Sequence, residues 1–187
     1  MNRFSVIAIS TFFMAIPAST MRAATLTIDQ ASAKRAQTTI QQINSQIENI
    51  YETASSMSMQ SREPNNVSEQ GEELNDLGAE INLVGRELKA LNSERDLLPA
   101  WQIEVIDTIL PSMHEIADKS TDAIMLFNKS QAQLFASNYP AETDQIGAEA
   151  KKTANFLSDD LKLEKTQAKE AHFADLTGRE VPEMRGQ

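Results

Sequence analysis

Gly71-Glu72-Glu73-Leu74-Asn75-Asp76-Leu77, Gly78-Ala79-Glu80-Ile81-Asn82-Leu83-Val84, Gly85-Arg86-Glu87-Leu88-Lys89-Ala90-Leu91 and Asn92-Ser93-Glu94-Arg95-Asp96-Leu97-Leu98 follow one another without a gap. This sevenfold register decides the fold. Leu74, Leu77, Ile81, Val84, Leu88, Leu91 and Leu98 recur at three- and four-residue steps, the spacing that puts side chains on one face of a helix. Glu73, Glu80, Glu87 and Glu94 recur just before that seam, and Gly71, Gly78 and Gly85 recur on its other flank. A glycine inside a helix costs about 0.8–1 kcal/mol relative to alanine, so three at one phase need a reason. One reason is a flat strip that a partner helix or an extended ligand approaches. The commoner one is close packing within the chain's own bundle. The glutamate column likewise reads as a surface for a basic partner or divalent cations, or, more commonly, as a solvated flank that sets helix orientation.

The same rhythm extends to both sides of this stretch. Upstream, Ala33, Ala36, Ile40, Ile43, Ile47, Ile50, Ala54 and Met57 form an unbroken seam, flanked by the uncharged polar Gln37, Thr39, Asn44, Gln46 and Thr53. Leu26-Thr27-Ile28-Asp29-Gln30 opens this helix, with Thr27 and Gln30 placed as a capping box. Arg62 to Asn66 stops it. Downstream, a third helix starts near Pro99, a residue suited to a first helical turn. Its seam is Ile106, Ile109, Met113, Ile116, Ser120, Ala123, Phe127 and Leu134, ending at Asn138-Tyr139-Pro140. Pro111 falls inside the pattern and must kink or split it. A fourth helix runs from about Pro140 to Asp175 on Ile146, Ala150, Ala154, Leu157, Leu161, Ala168 and Ala171. Glu164 lands on this seam, as suits a splayed or wet end of a bundle.

Helices of about 32 residues would be roughly 48 Å long at 1.5 Å per residue. With short connections, consecutive helices should be antiparallel neighbours. The sequence therefore predicts an all-α protein, a long antiparallel up-down-up-down four-helix bundle with heptad, coiled-coil-like packing over residues 25–176. Residues 177–187 read as a flexible polar tail.

Residues 1–24 read as a secretory signal peptide. Arg3 precedes a mostly apolar run, Phe4 to Ile16, shorter than the roughly 20 residues a membrane-spanning helix needs. Pro17, Ala18 and Ser19 follow, with cleavage expected after Ala18 or near Ala23–Ala24. An uncleaved anchor made of residues 4–16 is the lesser reading. The expected location is exported, periplasmic or extracellular, with no transmembrane span in the mature chain.

Composition narrows the chemistry. Of 187 residues, 17 are basic and 27 acidic, and none is cysteine. A net charge of −10 argues against nucleic acid. Without cysteine there is no disulfide, thiolate metal site or thiol nucleophile. The two histidines, His114 and His172, have Pro111 and Lys169 three residues before them, so the Glu-x-x-His pairs of a di-iron bundle are absent. His114-Glu115 does not continue as a zinc-protease motif, and no nucleophile elbow or Gly-rich phosphate loop occurs. No cofactor, no metal and no enzymatic activity are expected.

The pentapeptide Leu26-Thr27-Ile28-Asp29-Gln30 resembles the Leu-Thr-x-x-Gln motif of Spy-type periplasmic chaperones and stress-response inhibitors. That resemblance implies a small, exported, helical, non-enzymatic protein. It covers five residues. The family usually carries the motif twice on a basic concave protein, whereas this acidic chain carries it once.

Two functions follow as expectations. The first is a non-enzymatic exported bundle acting by protein–protein interaction or as a structural element, through self-association or an envelope partner. Its candidate strip is Gly71, Gly78, Gly85, Glu73, Glu80, Glu87 and Glu94. The alternative is a chaperone-like or small-ligand-binding bundle using Met57, Met59, Met113, Met125 and Phe127 as an adaptable apolar lining.

Overall fold

The computed structural model describes residues 18–63 and 67–177. Most of the expected leader, residues 1–17, and the tail from residue 178 lie outside the described residues. Four long helices make up most of the described residues: α1 (Ala18–Gln60), α2 (Val67–Ser93), α3 (Ala100–Ser130) and α4 (Tyr139–Thr177). Short 3₁₀ segments, Arg95–Leu97 and Gln131–Ala136, flank α3, and there is no strand among the described residues. The fold is all-α, as expected.

Each helix packs on its neighbours in the chain, and α4 returns to close on α1. Hydrogen bonds give the directions. Asn44 on α1 donates to Ser158 on α4 and Ser58 to Asp144, so residue numbers fall along α4 as they rise along α1. Gln46 reaches Glu87 and Ser56 reaches Glu73, the same inverse register between α1 and α2. Burial keeps the three–four rhythm. Ile40, Ile43, Ile47, Ile50, Ala54 and Met57 are fully buried on α1 and meet Leu77, Val84, Leu88, Ile106, Ile109, Ile116, Ile146 and Leu157 in one core. Each large aliphatic side chain contributes about 1.5–3 kcal/mol by leaving water.

Several sequence expectations change at the helix ends. The helix expected to open at Leu26–Thr27 begins at Ala18, so Thr27 and Gln30 lie within α1 rather than at its start. Between Ala18 and Leu26 the sequence holds no glycine or proline to stop a helix, and the nearest upstream breaker is Pro17. Pro99 is the N-cap residue of α3 rather than its first helical residue. Pro111 does not split α3, which runs unbroken from Ala100 to Ser130. Pro111 and Asp107, whose carbonyl loses its helical donor, both lie on the exposed face, where water can satisfy that oxygen. The third segment instead breaks at Ser130, well before Asn138. Gln133 leaves helical geometry at φ −138°, ψ 39°, and Leu134 is buried from the 3₁₀ segment.

Helix lengths are unequal, from 27 residues in α2 to 43 in α1, rather than about 32 each. This explains the last seam residues of α4. Leu157 is fully buried and Leu161 half-buried, but Ala168 and Ala171 are exposed, because α2 and α3 have already turned at Leu98–Pro99. Glu164 lies half-buried at that boundary. Beyond it α4 continues to Thr177 with Leu176 exposed. Among the described residues no helix is long and apolar enough to cross a membrane.

Candidate functional site: the two flanks of α2

The heptad register of α2 turns Glu73, Glu80 and Glu87 toward α1 and Gly71 and Gly85 toward α3. On the α1 side, Glu73 accepts hydrogen bonds from Ser56 Oγ (3.0 Å), Gln60 Nε2 (3.3 Å) and Gln70 Nε2 (3.5 Å). Asn49 bonds Glu80, and Gln46 Nε2 bonds Glu87 at 3.3 Å. The uncharged polar residues beside the α1 seam thus cover the acidic column from within the molecule. Among the described residues no base enters this ladder. Burial pushes the Glu73 and Glu80 carboxyls above the usual carboxylate range, with Asp76 adding repulsion to both. Successive heptad positions are about 10.5 Å apart, and each carboxylate has its own α1 partner, so the column does not converge on one point. Among the described residues no group of His, Cys, Asp or Glu is arranged to hold a metal ion. Glu94 is separate. It is exposed and caps the 3₁₀ turn after α2, where its carbonyl accepts from Leu97 N–H at 2.9 Å.

The glycines differ from one another. A Cβ on Gly71 would meet Phe127 Cζ at 3.2 Å, so this position is close packing. Phe127 in turn lies 6.2 Å, centroid to centroid, from the fully buried Tyr139 ring. At Gly78 and Gly85 an added Cβ meets nothing within 4 Å. Gly85 lies in an open cleft between α2 and α3 with a volume of about 540 Å³. Ile81, Leu88, Leu110, Met113 and Ala117 supply its apolar surface. Arg86, Lys89 and His114 line it together with Asn82 and Asn92, and among the described residues no carboxylate does. Its volume falls within the roughly 300–1,000 Å³ of small-molecule sites. Of the expected apolar lining, only Met113 is here. Met57 is core, Met59 and Met125 are exposed elsewhere, and Phe127 packs on Gly71. His172 is exposed on the far part of α4.

Sequence reasoning missed two things. It singled out the glycine flank without its neighbours Arg86, Lys89 and His114, which come together only once α2 and α3 pair. It also passed over Gly147, the buried glycine that lets α4 approach α1. A Cβ there would sit 3.3 Å from Ser55 Oγ and 3.7 Å from Ala54 Cβ. The run of small residues Gly147, Ala150 and Ala154 was its signal. No protein-family description, curated protein or solved structure matches the chain.

Proposed function

We propose that this chain is an exported, non-enzymatic helical bundle that works by binding, with the α2–α3 cleft as its binding site. The observation that carries this is the hollow at Gly85. A heptad position that α2 could fill with alanine at a gain in stability is left as glycine over an apolar floor. The export part of the proposal rests on the leader-like composition of residues 1–24. It is tested by N-terminal sequencing of the protein recovered from the cell envelope, which should begin near Ser19 or Thr25. A start at Met1 in the cytoplasmic fraction would overturn it. The binding part is tested with an environment-sensitive apolar dye. Wild-type protein should bind it in the native state. Gly85→Leu, which projects a side chain into the cleft, should bind markedly less at unchanged helical circular dichroism.

A second reading, association with another copy or with an envelope protein, is favoured by Leu163 and Leu176. They are 53% and 70% exposed on α4 near and beyond the α2–α3 turn. Sedimentation equilibrium should then show a dimer that Leu163→Glu weakens. A monomer at all concentrations would remove self-association.

A further inference from the structure

Charge in this chain is lopsided, and its distribution around the cleft is the reverse of the whole. The chain has 27 acidic residues against 17 basic, and among the described residues four bases form ion pairs. Arg62 pairs with Asp144, Arg95 with Asp107, Lys152 with Glu149 and Lys162 with Asp159. Arg86 and Lys89 stand one helical turn apart on the cleft side of α2 and form no ion pair or hydrogen bond among the described residues. His114 faces them from α3. Two unpaired cations and an imidazole thus flank an apolar floor that, among the described residues, no carboxylate lines.

We infer that the cleft takes a single-chain anionic amphiphile, with an apolar chain along Leu110, Ala117 and the outer edges of Ile81 and Met113 and a carboxylate or sulfate head at Arg86, Lys89 and His114. This rests on the proposal that the cleft is a binding site. The physical case has three parts. An apolar chain laid on the floor is drawn in by the area it removes from water, at about 25 cal/mol per Å². An anionic head supplies the partner that Arg86 and Lys89 lack, through charge-assisted hydrogen bonds that are roughly twice as strong as neutral ones. The long-range field of a chain at −10 opposes an anion at the cleft as it does elsewhere, so the attraction has to come from Arg86, Lys89 and His114 at short range. The absence of a side chain at Gly85 lets the ligand lie against the α2 backbone, where a leucine would occupy the same space.

Calorimetric titration of the purified chain with decanoate tests this, with decyltrimethylammonium as the probe of equal chain length and opposite charge. Decanoate should bind one to one and at least tenfold more tightly than the cation. The double variant Arg86→Ala/Lys89→Ala should weaken decanoate at least tenfold while leaving the circular dichroism unchanged. Gly85→Leu should abolish binding of either probe. Equal binding of both probes, lost in Gly85→Leu, would overturn the anionic ligand and leave the binding cleft standing. Binding that ignores Gly85→Leu, or no binding by either probe, would overturn the cleft itself. Decanoate affinity unchanged in the double variant would overturn the role of Arg86 and Lys89.

Discussion

The α1–α4 and α2–α3 pairs use the same seam spacing and end up differently, one closed and one open. On the closed side Gly147, Ala150 and Ala154 are buried and α4 lies against Ala54 and Ser55. On the open side Gly85 faces a cleft of about 540 Å³. Glycine therefore has two opposite uses in one bundle. At Gly147 it removes a Cβ that would collide. At Gly85 nothing collides, and the missing side chain leaves room. What separates them is the neighbour, which periodicity along a single helix does not contain.

Truncation should expose the difference most strongly. Leu157 is fully buried on the closed side, and Leu157→Ala should cost about 2–5 kcal/mol, since the cavity it leaves adds to the lost burial. Met113 lines the open cleft at 5% exposure, and Met113→Ala enlarges a hollow that water already reaches, so its cost should fall at or below the bottom of that range. Urea denaturation of the two variants makes the comparison. Equal losses would mean that the cleft is as tightly packed in solution as the core.

Filling should reverse the sign. Gly147→Leu forces side-chain bulk into Ala54 and Ser55 and should destabilise by about 1–3 kcal/mol. Gly85→Leu gains helix propensity and meets open space, so its melting temperature should equal or exceed that of wild type.

The mildest substitution, alanine, grades the three heptad glycines. Gly78→Ala and Gly85→Ala should each stabilise by about 0.8–1 kcal/mol. Gly71→Ala should gain less or nothing, because its Cβ crowds Phe127 Cζ at 3.2 Å. Thermal melts of the three variants should rank Gly71→Ala lowest.

How much of this was legible follows from what each signal encodes. The α2 heptads gave the seam outright: all of Leu74, Leu77, Ile81, Val84, Leu88, Leu91 and Leu98 are buried. The Ile-rich seam of α1 did the same from Ala36 to Met57, whereas Ala33 is half-buried and Ser32 beside it is buried. Helix ends were less legible, because a capping box such as Thr27–Gln30 acts only if the helix starts there, and the preceding residues are themselves good helix formers. The cleft was half legible. Its glycine showed in the repeat. Arg86 and Lys89 looked like ordinary surface charges until α3 placed His114 and Met113 opposite them.

The acidic flank of α2 offers the finest test, through pH. Burial raises the Glu73 and Glu80 carboxyls, and burial beside Glu104 raises Asp160. A carboxyl whose folded pKa lies above its unfolded value binds more protons in the native state, so stability falls as pH rises from about 4.5 through the raised value. Asp107 acts in the other direction. Arg95 holds it below the usual carboxylate range, so its contribution is present above about 3.8 and is lost as pH falls further. Melting temperature should accordingly peak in mild acid and decline toward neutrality. General repulsion in a chain at −10 gives the same trend, so the discriminating variant is Glu80→Gln. It removes one charge from the α1–α2 ladder, and its amide oxygen still accepts from Asn49. Glu94→Gln removes the same charge from an exposed position. If the α1–α2 ladder carries the effect, Glu80→Gln flattens the decline above about pH 4.5 and Glu94→Gln leaves it nearly as steep. Identical flattening by both would assign the decline to net charge alone.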